Sequence, residues 1–226
     1  MKRASVLFVL LLFCLLSILA SAAEPRVVLL EDFENARVGT GTLVYGHMDQ
    51  WEVVPYPEGP DNHCLRVTKT HSTIGLALEY PVEVRPGRQI VLTLKYCATG
   101  RFENRYVVGN IWFMNDKYGY GVTHNLLNPG AGGVYFVSIN GAWHQHSKLS
   151  DQVITPGRDW GQWGTVKLVW EYDQLSVYVD GHLCDTITDA TYADQIIDRI
   201  TLWNWWRADD DVEAVYYDDI QVEVID

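Results

Sequence analysis

From residue 27 onward the chain alternates apolar and polar positions with a period of two, and no stretch holds a convincing 3.6-residue period. The alternating or apolar runs predict strands over 27–34, 43–54, 64–69, 74–84, 89–97, 105–114, 119–124, 133–139, 165–172, 175–180, 196–204 and 215–225. Turn dipeptides punctuate them: Pro86-Gly87, Asn115-Asp116, Asn140-Gly141, Pro156-Gly157 and Asp180-Gly181. Only Asp189 to Gln195 suggests a short helical turn. Many short strands about ten residues apart, with frequent Gly and Pro turns, predict an all-β sandwich or barrel. No linker, low-complexity tract or internal repeat divides it, so one domain is expected.

Phase sorts some positions. Val166, Leu168, Trp170 and Tyr172 share a face, with Lys167 and Glu171 opposite. Leu175, Val177 and Val179 point inward before Asp180-Gly181 starts a hairpin return. Between 105 and 114 both faces are apolar or aromatic, as in a central strand whose outer side also binds something. In the last strand, Asp218 is in phase with Ile220, Val222 and Val224. An ionised carboxylate on an apolar face is costly unless paired or metal-bound. A structural cation, calcium, where the first and last strands lie side by side is the simplest solution.

Residues 1–22 fall outside this pattern. Lys2 and Arg3, an apolar run from Val6 to Leu19, and Ala20-Ser21-Ala22 have the order of a secretory signal peptide. Cleavage after Ala22 leaves 204 of 226 residues, and a secreted or periplasmic destination is expected with no membrane attachment afterwards. Removing the two basic residues takes the formal charge from −12 to −14, a poor surface for nucleic acid or anionic membranes. Three cysteines survive cleavage: Cys64, Cys97 and Cys184. Cys64 and Cys97 sit in predicted neighbouring strands and could pair, or all three stay free.

The pattern resembles the concanavalin A-like (laminin G-like) jelly roll of lectins, carbohydrate-binding modules and glucanases. The resemblance rests on Glu31-Asp32-Phe33-Glu34, Trp163-Gly164-x-Val166-x-Leu168, Leu175-x-Val177-Tyr178-Val179-Asp180-Gly181 and Tyr217-Asp218-Asp219-Ile220-x-Val222. It implies a two-sheet antiparallel sandwich over 23–226. It also implies Asp32, Glu34 and Asp218 as calcium ligands, with backbone carbonyls completing the shell. The competing reading is that these carboxylates bond turns or pair with an arginine.

Nine Trp and thirteen Tyr exceed what a core of this length needs. Sugar recognition uses flat aromatic faces and planar polar side chains. Tyr106, Asn110 and Trp112 share one strand face; Trp203 and Trp205 share another, followed by Trp206 and Arg207. Tyr120 and His124 form a third aligned pair, whereas Trp51 and Trp170 are assigned to the core. A long loop over Gly141–Gly164 carries His144 and His146, an incomplete metal or acid–base pair on their own. Retaining glycosidases of this fold present Glu-x-Asp-x-x-Glu or Glu-x-Asp-x-Glu from one strand, and neither spacing occurs. The expectation is a calcium-stabilised, carbohydrate-binding, lectin-like domain. The alternatives are a lyase or hydrolase of the same fold, or an adhesion domain meeting a protein.

Overall fold

The computed structural model describes residues 24–34, 43–46, 50–55, 62–101, 108–116, 118–125, 134–139, 142–148, 162–190, 193–206 and 211–226. Residues 1–23, Tyr106 and Arg207 lie outside them. The strands are β1 (Arg26–Glu31), β2 (Leu43–Gly46), β3 (Trp51–Pro55), β4 (His63–Val67), β5 (Ser72–Glu83), β6 (Gln89–Arg101), β7 (Val108–Met114) and β8 (Tyr118–Asn125). They continue as β9 (Val134–Ile139), β10 (Ala142–Lys148), β11 (Gly164–Glu171), β12 (Gln174–Val179), β13 (His182–Thr188), β14 (Ile196–Trp205) and β15 (Asp211–Ile225).

Two antiparallel sheets form. One runs β13-β12-β11-β6-β15-β4-β3, with β1 also pairing β15; the other runs β10-β9-β8-β7-β14-β5-β2. Between them lies one apolar core to which both sheets contribute alternate residues, among them Leu65, Leu92, Leu168, Val177 and Val222 from the first and Ile74, Leu76, Ile111, Ile200 and Leu202 from the second. Trp170 bridges the layers: its ring lies 5.5 Å from Phe113 and 5.1 Å, edge-on, from Tyr120. Its Nε1 donates to the Tyr172 carbonyl at 2.9 Å, so the indole is buried with its polar atom satisfied.

Several expected boundaries shift. The single strand expected over 43–54 is two, because β2 pairs β5 in the second sheet while β3 pairs β4 in the first. The supposed loop after Gly141 contains β10, which pairs β9 with His144 opposite Val137. The side chains of His144 and His146 lie outside the described residues.

The largest correction concerns Asp218. On β15, Val215 and Tyr217 face the core together with Ile220, Val222 and Val224. The ladder to β6 pairs Asp218 with Lys95 and Gln221 with Thr93, one extra residue on β15, and Asp219 there has φ 47°. This β-bulge resets the alternation. Asp218 therefore stands on the outer face of the first sheet rather than among the core aliphatics.

Among the described residues Cys64, Cys97 and Cys184 are free. β15 lies between β4, which carries Cys64, and β6, which carries Cys97. Two strand spacings separate such residues by about 9–10 Å, beyond the ~4.4–6.8 Å Cα separation of a disulfide. Both instead pack with Ala214 and Tyr216 in a small outer cluster, against Val54 and Trp163.

Candidate functional site

The outer face of the second sheet is built in cross-strand rows. Residues 74, 76, 111, 113, 200 and 202 face the core, so Asn110, Trp112 and Met114 on β7 and Arg199, Thr201 and Trp203 on β14 face outward. In one row Thr73, Trp203, Asn110 and Thr123 stand opposite one another; in the next come Gly75, Thr201, Trp112 and Gly121; in the third Ala77, Arg199, Met114 and Gly119.

Gly121 shapes the middle row. A Cβ there would collide with the Ile111 carbonyl oxygen and meet Trp112 Cα and Cδ1 at 2.8 Å each. The indole of Trp112 thus lies across the glycine, and Gly119 similarly leaves room for Met114, whose Cγ would sit 3.3 Å from an added Cβ. The alternation Gly119-x-Gly121 inside an aromatic strand was the sequence signal for a close approach on this face.

Burial divides the expected binding residues. Trp112 is 6% exposed and Asn110 1%. They form the floor, with Asn110 Nδ2 donating to the Trp203 carbonyl at 3.4 Å. Trp203 is partly exposed, its ring 6.0 Å from that of His71. Tyr120 points the other way: it is 2% exposed and edge-packed on Trp170, so it is a core residue and its ring is not offered for stacking. Trp205 is opposite Val108 and His124 opposite Gly109 in the ladders, but their side chains lie outside the described residues. Trp206 is buried in the core cluster. At the far end of the face, Arg199 donates from Nη1 to Asp198 and from Nη2 to Asp116, each at 2.9 Å.

A second locus lies where β1, β4 and β15 meet. β1 pairs the second half of β15 and β4 its first half, so the first and last strands do lie side by side. Phe33 adopts φ 57° and is fully buried, which turns its ring into the core and leaves Asp32 and Glu34 on the outside. Asp32 Oδ1 accepts the Glu34 N–H at 3.2 Å. Glu34 Oε1 accepts the His63 N–H at 3.0 Å, and its other oxygen is 3.7 Å from His63 Nδ1.

Asp218 is 5% exposed and accepts the Asp219 N–H at 2.8 Å. Burial pushes its carboxyl up from 3.8 to about 6; the Asp219 and Glu34 carboxylates add to this, while the Asp219 N–H and Lys95 oppose it. Burial, followed by the Asp218 charge, likewise pushes the Cys64 thiol up to about 12 and keeps it protonated. Lys95 gives its ammonium to Asp219. Among the described residues no three His, Cys, Asp or Glu side chains converge as a metal-binding group. Asp32, Glu34 and Asp218 do not form such a group; the Asp219 and Glu34 charges both oppose that of Asp218.

No protein-family model matches the chain, and no curated protein does. Solved structures do. A glycoside hydrolase family 16 endo-glucanase from Bacteroides ovatus aligns with a TM-score of 0.61 at 14% identity, covering 87% of this chain and 99% of that one. The carbohydrate esterase vb_24B_21 of the Shiga toxin-encoding bacteriophage phi24B gives 0.53 at 12%, over 89% and 100%. The binding domain of Paraclostridial Mosquitocidal Protein 1 gives 0.57 at 12%, over 87% of this chain but 48% of that one. The fold is a concanavalin A-like jelly roll. At these identities the likeness concerns architecture, and function has to be argued from the site.

Proposed function

We propose that this chain is an exported, calcium-stabilised carbohydrate-binding protein that takes a neutral polysaccharide or glycan on the outer face of its second sheet. The observation that carries the reading is the row structure of that face, with partly exposed Trp203 opposite buried Asn110, and Trp112 in the next row, laid over Gly121. Aromatic rings stack on the C–H faces of pyranoses, and a rigid floor limits the ordering cost of binding. Tyr106, Trp205 and Arg207 extend this surface in the proposal, on sequence grounds alone.

Charge supports a neutral ligand. The chain carries a formal −12, and Arg199 is already engaged by Asp116 and Asp198. The outward positions of β7 hold Asn110, Trp112 and Met114 rather than carboxylates, which favours binding over hydrolysis. A cation at the second locus would be held by Glu34 and Asp218 with backbone carbonyls, relieving the mutual repulsion and the desolvation that raise Asp218.

The test is a glycan array of the mature chain with calcium and again with a chelator. Mixed-linkage glucan, the polysaccharide named for one of the similar Bacteroides ovatus structures, is the first soluble probe, followed by affinity electrophoresis. Saturable retention that drops at least tenfold in Trp203→Ala, with an unchanged melting temperature, is the expected result. Retention equal in wild type and Trp203→Ala would remove this face as the site.

A further inference from the structure

The turn between β4 and β5, residues 68–71, brings a residue to the edge of Trp203 that the strand pattern does not reveal. His71 has φ 59°, in the left-handed region that a non-glycine residue enters only when its surroundings impose it. The surroundings here are specific. Thr70 Oγ1 donates to the Trp206 carbonyl at 2.7 Å and accepts the N–H of the same residue at 2.9 Å, tying the turn to the end of β14 from both sides. Next in sequence, Ser72 is fully buried, with its hydroxyl 2.5 Å from the Lys69 carbonyl and 2.6 Å from Gln50 Oε1. One hydroxyl proton serves one acceptor, so with Ser72 donating to Lys69 the Gln50 amide must present its nitrogen to Ser72. The backbone on both sides of His71 is thus held by buried or half-buried hydroxyls.

The side chain held in this way is exposed. Its ring centre lies 6.0 Å from that of Trp203, at an interplanar angle of 57°. The imidazole therefore stands beside the indole as a tilted wall, not stacked upon it. A pyranose lying on Trp203 directs its equatorial hydroxyls outward in the plane of the sugar, and His71 stands at one such edge.

We infer that His71 is a further ligand-contacting residue of the carbohydrate site, hydrogen-bonding a ring hydroxyl of the sugar stacked on Trp203. Thr70 is the residue that positions it. The inference rests on the reading of the outer face given above and goes beyond it, since it assigns the site a polar contact from outside the sheet. It makes the preferred ligand a sugar carrying a hydroxyl at that edge, and a deoxy sugar there a poor one.

The experiment measures retention of wild type, His71→Phe, His71→Gln, Thr70→Val, Thr70→Ser and Trp203→Ala on mixed-linkage glucan or the strongest array ligand, with a thermal melt of each. His71→Phe keeps a ring beside Trp203 and removes only the hydrogen bond, so affinity should fall about five- to tenfold. His71→Gln should recover part of the loss. Thr70→Val should weaken binding to a similar degree but add little in a His71→Phe background, and Thr70→Ser should restore it. Additivity of Thr70→Val with His71→Phe would mean that Thr70 acts on stability and not through His71.

If His71→Phe binds as wild type while Trp203→Ala does not, the site stands and the His71 contact is refuted. If Trp203→Ala also binds as wild type, or the wild type binds no glycan, the outer-face reading falls and this inference with it. A melting temperature lowered in Thr70→Val leaves the His71 pair of variants to decide, because their substitutions are on the surface.

Discussion

Asp218→Asn offers a direct test of the second locus. The carboxyl is raised from 3.8 to about 6 in the folded chain, chiefly by burial. A folded value above the unfolded one means that the native state holds the proton more tightly, so this group opposes folding as pH rises. Well below pH 3.8 the acid is protonated in both states and the cost vanishes; it grows between about 4 and 6 and is constant above. Two units at ~1.4 kcal/mol each give an upper bound of about 3 kcal/mol. The Asp219 N–H and the nearby Lys95 charge offset part of the burial cost, and about 1–2 kcal/mol is the working figure. Asparagine retains the Oδ1 that accepts the Asp219 N–H at 2.8 Å, so the bulge geometry survives. In chelator at pH 7.5, urea and thermal melts should show the variant more stable by about 1–2 kcal/mol, or roughly 2–6 °C. The advantage should shrink to about a fifth of that at pH 4. With calcium added, wild type should gain stability and the variant should not. A variant less stable than wild type at pH 7.5 in chelator, or an advantage undiminished at pH 4, would show that Asp218 is not a buried charge awaiting a partner.

Gly121→Ala should destabilise the fold by about 2–4 kcal/mol, because the new methyl meets the Ile111 carbonyl and the Trp112 ring on both sides; a melt within a degree of wild type would contradict the placement of that indole. Trp170→Ala should cost about 3–5 kcal/mol through loss of its contacts with Phe113 and Tyr120, seen as a reduced urea midpoint. Alkylating the denatured mature chain without reductant should modify all three thiols, Cys64, Cys97 and Cys184; protection of two of them would reveal a disulfide. Trp203→Ala should lose glycan retention with little change in melting temperature, since the ring is partly exposed.

Much of the architecture was legible as period two, because a strand buried on one face has to alternate along the chain. That pattern alone placed Val166, Leu168 and Trp170 inward, as well as Leu175, Val177 and Val179, and it predicted an all-β sandwich or barrel. Trp51 and Trp170 were likewise readable as core, and all three lines of inference hold in the folded chain. The amino-acid order also marked Asn110, Trp112 and Trp203 as sharing outward faces, which the ladders bring into adjacent rows.

Other features depended on contacts between residues far apart in the chain. Period counting assumes an unbroken ladder, and the bulge at Asp219 breaks it, so Asp218 changed face. Local pattern cannot say which strand lies between two others, and β15 running between β4 and β6 keeps Cys64 from Cys97. Tyr120 looked like a surface ring because its glycine neighbours carry no side chain to set the phase; the opposing Trp170 of the other sheet gives it a place inside. His71 joins Trp203 only because Thr70 ties a turn to a strand end 136 residues away. Alternation is a property of one strand and can be read from its residues, whereas neighbours in space are chosen by the packing of the two sheets.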